Sequence, residues 1–170
     1  MHLIIDGYNL LGIRGQVGSG AEMAREQLLY DLTHYRQRKG HPVTVVFDGW
    51  KQGLGSERHE HRAGVQLIYS KRGERADQVI QRLASEFGGD CAVVSSDREV
   101  AEFARGHGAF VMTATEFDTK LRALRQTAAP AFRSKAASDD DLPKRNPDKK
   151  GNPRKLPKAL RNRNRRLRGF

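Results

Sequence analysis

A chain of 170 residues with a net charge of +11 and 37% apolar residues has room for one domain plus an extension, but not for two full cores. No stretch approaches ~18 apolar residues and the first residues lack the basic and hydrophobic regions of a signal peptide, so a membrane span is excluded and a cytoplasmic protein is expected. Cys91 is the only cysteine, which excludes an intrachain disulfide and a thiolate zinc site, and no disulfide-linked partner is expected.

The charge is unevenly placed. Residues 130–170 hold 14 Lys/Arg and 4 Asp, while residues 1–129 hold 17 Lys/Arg and 16 Asp/Glu. A nearly neutral front domain, 1–128, is therefore expected ahead of a basic tail, 129–170. In chain order, a strand is predicted at 2–5 and stops on Asp6, where Asp6-Gly7 reads as a tight turn. Gly12, Gly15, Gly18 and Gly20 read as a flexible loop, because their spacing fits neither a dinucleotide fingerprint nor a Walker loop. A helix follows over 21–39, with Ala24, Leu28, Leu32 and Tyr35 on one face and Gly40 as its stop. Strands are predicted at 43–47 and 65–69, separated by a long loop containing Gly and Arg. The segment 76–87 repeats Ala76, Val79, Ile80, Leu83 and Phe87 at helical spacing and ends at Gly88-Gly89. Further strands at 92–95 and 109–112 each lead into a helix. Ser96 is the predicted cap of the first, with Glu99 completing a capping box, and Thr115 caps the second. Most of these strands are continuous apolar runs, the pattern of strands buried on both faces. About five strands alternating with helices predict a doubly wound α/β domain. In 129–157, five of the six prolines join Ser, Lys and Asp in a segment not expected to fold alone, and 156–167 reads as a short basic helix formed on a partner.

Three of the predicted strands run into an aspartate: Asp6, Asp48 and Asp97. Ligands of open parallel sheets bind outside the carboxyl ends of the strands. Asp77, in the first turn of the 76–87 helix, is expected at the same edge, and Glu74 could reach it from the preceding loop. Each has a plain structural alternative: a turn for Asp6 and Asp48, and interaction with the helix dipole for Asp77. Together they describe a carboxylate cluster. Two carboxylates ~4 Å apart repel by roughly 4 kcal/mol even at an effective dielectric near 20, which a divalent cation relieves. Oxygen ligands without cysteine suit Mg²⁺ or Mn²⁺ better than zinc. Asn9, which offers both a donor and an acceptor, is placed to orient a water or a phosphate oxygen.

The motifs Asp6-Gly-Tyr-Asn9-Leu-Leu, Phe47-Asp48-Gly49, Gly73-Glu74-Arg-Ala-Asp77 and Val94-Ser-Ser96-Asp97-Arg98 resemble, in that order over about residues 1–125, the YacP-like NYN domain of the PIN-like nuclease superfamily. The resemblance implies a three-layer α/β/α sandwich around a mostly parallel sheet, and a metal-dependent endoribonuclease. It also implies that Asp6, Asp77 and Asp97 are the metal-site carboxylates, that Asn9 and Asp48 support them in catalysis, and that Ser96 holds the local geometry or a phosphate. It does not reach the tail. Glu99 is left between metal and cap, with the cap favoured.

The expected rim of the pocket is basic. Trp50, Lys51, Lys71, Arg72 and Arg98 are candidate substrate contacts, the cations for phosphates and Trp50 as a stacking face for an unpaired base. His59 and His61 read as surface residues. The tail cations would neutralise phosphates and hold the protein on large RNA, with the ribosome as a candidate carrier, rather than on a membrane. The expected activity is Mg²⁺- or Mn²⁺-dependent hydrolysis of single-stranded RNA. The alternatives are an RNA- or ribosome-binding adaptor without catalysis and, ranked last, a phosphohydrolase of small esters.

Overall fold

The computed structural model describes residues 1–16, 20–49 and 55–128, together with residues 162, 163, 165, 166 and 169; the side chains of 126–128 fall outside this set. The elements are β1 (His2–Asp6), α1 (Gly7–Ile13), α2 (Ala21–Lys39), β2 (Val43–Phe47), β3 (Arg58–Arg62), β4 (Val65–Tyr69), α3 (Ala76–Phe87), a 3-10 turn (Gly88–Asp90), β5 (Cys91–Val94), α4 (Arg98–Gly106), β6 (Phe110–Met112) and α5 (Ala114–Ala128). Among the described residues six strands, one more than expected, form a single sheet in the order β3-β4-β2-β1-β5-β6. Every neighbouring pair is parallel except β3 and β4.

The additional strand is β3, Arg-His-Glu-His-Arg, where a loop was expected. It has no apolar position, so no hydrophobic period marks it. Its register comes from the turn. Ala63 and Gly64 both have positive φ, 50° and 82°, the geometry of a two-residue type I′ hairpin, which sets Arg62 opposite Val65 and Arg58 opposite Tyr69. A charged edge strand also discourages pairing with another chain.

Strand alternation divides the core into two layers. Ile4, Val46, Ile68 and Val93 face α3 and α4, packing with Val79, Ile80, Ala84, Val100 and Ala104. Leu3, Ile5, Val45 and Leu67 are equally buried at the opposite parity, where α1, α2 and α5 contribute Leu10, Leu11, Leu28, Leu32, Tyr35, Phe117 and Leu121. This is the expected α/β/α sandwich.

Asp6-Gly7 does not turn the chain; it begins α1. Asp6 is the N-cap, and its Oδ1 accepts the Asn9 N–H at 3.0 Å. Gly7 is required by contact rather than by backbone angle. A Cβ there would lie 2.3 Å from the ring of Phe47, which is fully buried and flanked by Tyr8 and Tyr69. Gly12, assigned from sequence to a loop, lies inside α1.

Two other caps differ from expectation. Asp97, not Ser96, caps α4: its Oδ1 accepts the N–H groups of Glu99 and Val100 at 2.8 and 3.2 Å. At the start of α5, Thr113 rather than Thr115 pairs with Glu116. The Thr113 Oγ1 accepts the Glu116 N–H at 3.2 Å, and Glu116 accepts the Thr113 N–H at 2.9 Å.

The chain divides into residues 1–128 and a second unit, residues 129–170. Within that unit Asn162, Arg163, Arg165 and Arg166 are helical, and Arg165 donates to Asn162 at 3.4 Å. Among the described residues no helix is long and apolar enough to cross a membrane.

Candidate functional site

From β1 the chain moves outward through β2 and β4 on one side and through β5 and β6 on the other. The strand order therefore reverses between β1 and β5. The region beyond their carboxyl ends is the topological switch point, where ligands of such sheets bind.

Asp6 ends β1 with the parity of Ile4 and so faces the α3/α4 layer. Among the described residues its side chain accepts only from Asn9. Asp48, just past β2, accepts the Ala76 N–H through Oδ1 at 2.7 Å and thereby fastens the first turn of α3 to the edge. The buried Ser70 hydroxyl steadies the same loop by accepting the Gly49 N–H at 3.2 Å. Asp97, besides capping α4, is held by its own N–H donating to Ser95 Oγ at 3.1 Å. Asn9, in α1, links the ends of β1 and β5: its Oδ1 accepts the Ser96 N–H at 3.1 Å. Asp77, in the first turn of α3, pairs through Oδ2 with the exposed Arg75 at 2.5 Å.

The charges of these aspartates act on one another. Asp6 has its carboxyl pushed up to about 6, first by burial and then, against the Asn9 hydrogen bond, by the Asp77, Asp48 and Asp97 carboxylates. Asp77 is also raised, first by burial; Arg75 opposes the shift, and Asp97, Asp48 and Glu99 add to it. Four carboxylates at the strand ends thus lie near enough to feel one another's charge, and Arg75 is the one cation paired with any of them among the described residues.

Among the described residues, Asp6, Asp48 and Asp97 each use only Oδ1 in hydrogen bonds and Asp77 only Oδ2, so that within this set one oxygen of each carboxylate is uncommitted. This all-oxygen, electronegative set fits a hard divalent cation. Yet among the described residues no three His, Cys, Asp or Glu side chains are placed to hold an ion together directly. Mg²⁺ commonly keeps several waters and takes one or two carboxylates, so the arrangement suits a hydrated ion better than a closed cage.

The other sequence candidates divide. Glu74 does not join the cluster; its carboxylate is drawn to Arg82 at 3.1 Å, and Arg82 also pairs with Glu57. Among the described residues Glu99 makes no reciprocal capping bond, and its charge acts on Asp77 instead. Ser96 presents its backbone to Asn9 and accepts the Ala114 N–H with its hydroxyl at 3.2 Å, so it positions the β5 and β6 ends. Lys71 and Arg72 sit exposed in the turn between β4 and α3, on the same edge. Arg98 is exposed and paired along α4 with Glu102 at 2.8 Å. Trp50 and Lys51 lie outside the described residues. His59 pairs with Glu57 at 2.6 Å on β3, as fits a surface residue. Sequence reasoning missed Arg75, although its position two residues before Asp77 was a usable signal.

Comparison with known proteins places this geometry. The sequence profile described as the YacP-like NYN domain matches residues 3–161, running past the expected limit near 125 into the tail. The uncharacterized protein YacP of Bacillus subtilis (strain 168) is 36% identical over 87 residues, which are 48% of this chain and 50% of that protein. The chain thus matches about half the length of this curated relative. The crystal structure of Rae1 (YacP) from Bacillus subtilis is similar with a TM-score of 0.61 and 29% identity, over 75% of this chain and 76% of that one. The structure of a tryptophan-to-leucine mutant of Rae1 gives 0.62 and 27%, over 75% and 79%. The chain belongs to the YacP-like NYN domain family and carries its PIN-like, nuclease-like fold.

Proposed function

We propose that the protein is an endoribonuclease that hydrolyses phosphodiester bonds of single-stranded RNA with Mg²⁺ or Mn²⁺. The observation that carries the reading is the convergence of Asp6, Asp48, Asp77 and Asp97 on the switch point of a nuclease-like sheet, each with one oxygen uncommitted among the described residues. Asp6, Asp77 and Asp97 would hold a hydrated ion, mainly through its waters and with at most one or two direct carboxylate contacts. When bound there, such a cation neutralises charge on a phosphoryl oxygen and makes a water acidic enough to attack.

The chain's own groups supply the positioning. Asn9 spends its carbonyl on Ser96, and its amide N–H₂ has no partner among the described residues, leaving it to donate to a phosphate oxygen. Asp48 keeps the start of α3, and with it Asp77, at the edge. Exposed Lys71 and Arg72 are suited to hold flanking phosphates of the strand. In-line attack of water would leave a 5′-phosphate and a 3′-hydroxyl. The tail cations would add affinity independent of sequence, for RNA alone or on the ribosome.

The test is incubation of purified protein with unstructured and structured RNAs in Mg²⁺, Mn²⁺ or EDTA, beside Asp77→Asn. Cleavage should require the cation, favour the unstructured RNA and fall at least a hundredfold in the variant. RNA binding with no metal-stimulated cleavage would replace this reading by that of a non-catalytic RNA-binding adaptor.

A further inference from the structure

On the sheet face opposite the α3/α4 layer, α1, α2 and α5 enclose a charge cluster that the carboxylate edge does not use. Arg14, at the end of α1, donates from Nε to Asp118 at 2.6 Å and from Nη1 to Asp31 at 3.0 Å. Its side chain is only 7% exposed, and those of Asp31 and Asp118 are 1% and 8% exposed. From α5, Arg122 Nε reaches the other oxygen of Asp118 at 2.6 Å, and Arg125 Nε reaches the other oxygen of Asp31 at 3.2 Å. Every oxygen of the two aspartates is therefore taken.

The arginines are not used up. A guanidinium has five N–H donors. Arg122 and Arg125 each spend Nε alone, and Arg14 spends Nε and one N–H of Nη1, so the outer Nη donors of all three have no partner among the described residues. These three side chains, with Gln16 and Gln27, line a cavity of about 240 Å³. Three guanidinium groups against two carboxylates leave one net positive charge. The aspartates grip the inner edges of the arginines and so fix which edges face the cavity. With no carboxylate oxygen free, the walls reject a cation. Donors arriving from three side chains match the several oxygens of a tetrahedral anion better than a single lone pair.

We propose that this cavity is a binding site for a phosphate-type oxyanion, either free phosphate or a phosphate group of a nucleic acid strand. It is built from α1, α2 and α5 without any of the carboxylates at the strand ends, so it stands whether or not that edge cleaves RNA.

The test titrates inorganic phosphate into the full-length protein at constant ionic strength while following the arginine side-chain N–H resonances. Saturable shifts of Arg14, Arg122 and Arg125 are expected. The double variant Arg122→Gln/Arg125→Gln should bind phosphate at least tenfold more weakly; both side chains are substantially exposed, at 63% and 49%, so the fold should survive the change. Unmoved arginine resonances in the wild type overturn the proposal, a result that needs no variant to fold. So does undiminished phosphate binding by a folded double variant. A second arm adds a short oligoribonucleotide to phosphate-loaded Asp77→Asn protein. Displacement of phosphate assigns the site to RNA, and retention assigns it to the free anion. Phosphate binding at the arginines in a protein that never cleaves RNA would sink the nuclease reading and leave the cavity assignment standing.

Discussion

Asp6 caps a helix and at the same time sits buried among three other carboxylates, and these two roles pull its charge in opposite directions. The Asn9 N–H favours the ionised form, but burial and the neighbouring Asp77, Asp48 and Asp97 outweigh it and raise the carboxyl to about 6 from an ordinary value of 3.8. A folded-state value above the unfolded one means that the native protein binds the extra proton between about pH 4 and pH 6. Stability from this group is thus present at low pH and lost as pH rises through that window, by up to about 3 kcal/mol. Asp6→Asn keeps an oxygen for Asn9 and removes the charge. In EDTA at pH 7.5 the variant should melt above the wild type, and the difference should disappear at pH 4; thermal unfolding at both pH values measures it. A variant that melts below the wild type at pH 7.5 would show that the carboxylates do not repel as described. At this scale the sequence was largely legible, because an aspartate at a strand end and one at a helix start are marked by their neighbours. What it could not show was the second task of each residue. Asp97 caps α4, Asp48 ties down α3, and Ser96, expected as a cap, braces the start of α5 instead.

At the scale of elements, α2, α3 and the parallel strands were readable from their apolar periods, whereas α1 and β3 were not. α1 is seven residues long and holds two glycines, so its own propensity is poor. It exists because Asp6 caps it and because Leu10 and Leu11 are buried against the sheet. β3 exists because the Ala63-Gly64 turn folds it back on β4. Neither cause is a local pattern of the segment itself. The same holds for the Arg14 cluster, which joins residues up to 111 positions apart, from Arg14 to Arg125, on three helices. Arg14 is its centre, and removing it leaves Asp31 and Asp118 buried with one partner fewer. Arg14→Ala should cost about 3–5 kcal/mol, read as a lower midpoint of urea unfolding. A loss below about 1 kcal/mol would mean that Arg122 and Arg125 suffice to neutralise both aspartates.

Over the whole molecule, a nearly neutral α/β unit is followed by a segment that carries most of the net charge, with 14 Lys/Arg against 4 Asp in residues 130–170. Sequence composition shows the uneven charge, but it does not say what the tail binds. If the tail anchors RNA, a chain ending at Ala128 should fold and still cleave short RNA. Its affinity for long RNA should drop at least tenfold near 0.1 M salt, with a shallower dependence of log K on log salt, as measured by filter binding across a salt series. Unchanged affinity and slope would assign RNA binding to residues 1–128. The nuclease reading depends on Asp6, Asp77 and Asp97 sharing one hydrated cation at the strand ends. The most direct measurement of that claim is Mn²⁺ binding followed by water-proton relaxation, in the wild type and in Asp77→Asn. Saturable binding to the wild type, weakened at least tenfold by the substitution, is the predicted result. Equal binding by the two proteins, or none by either, would contradict it.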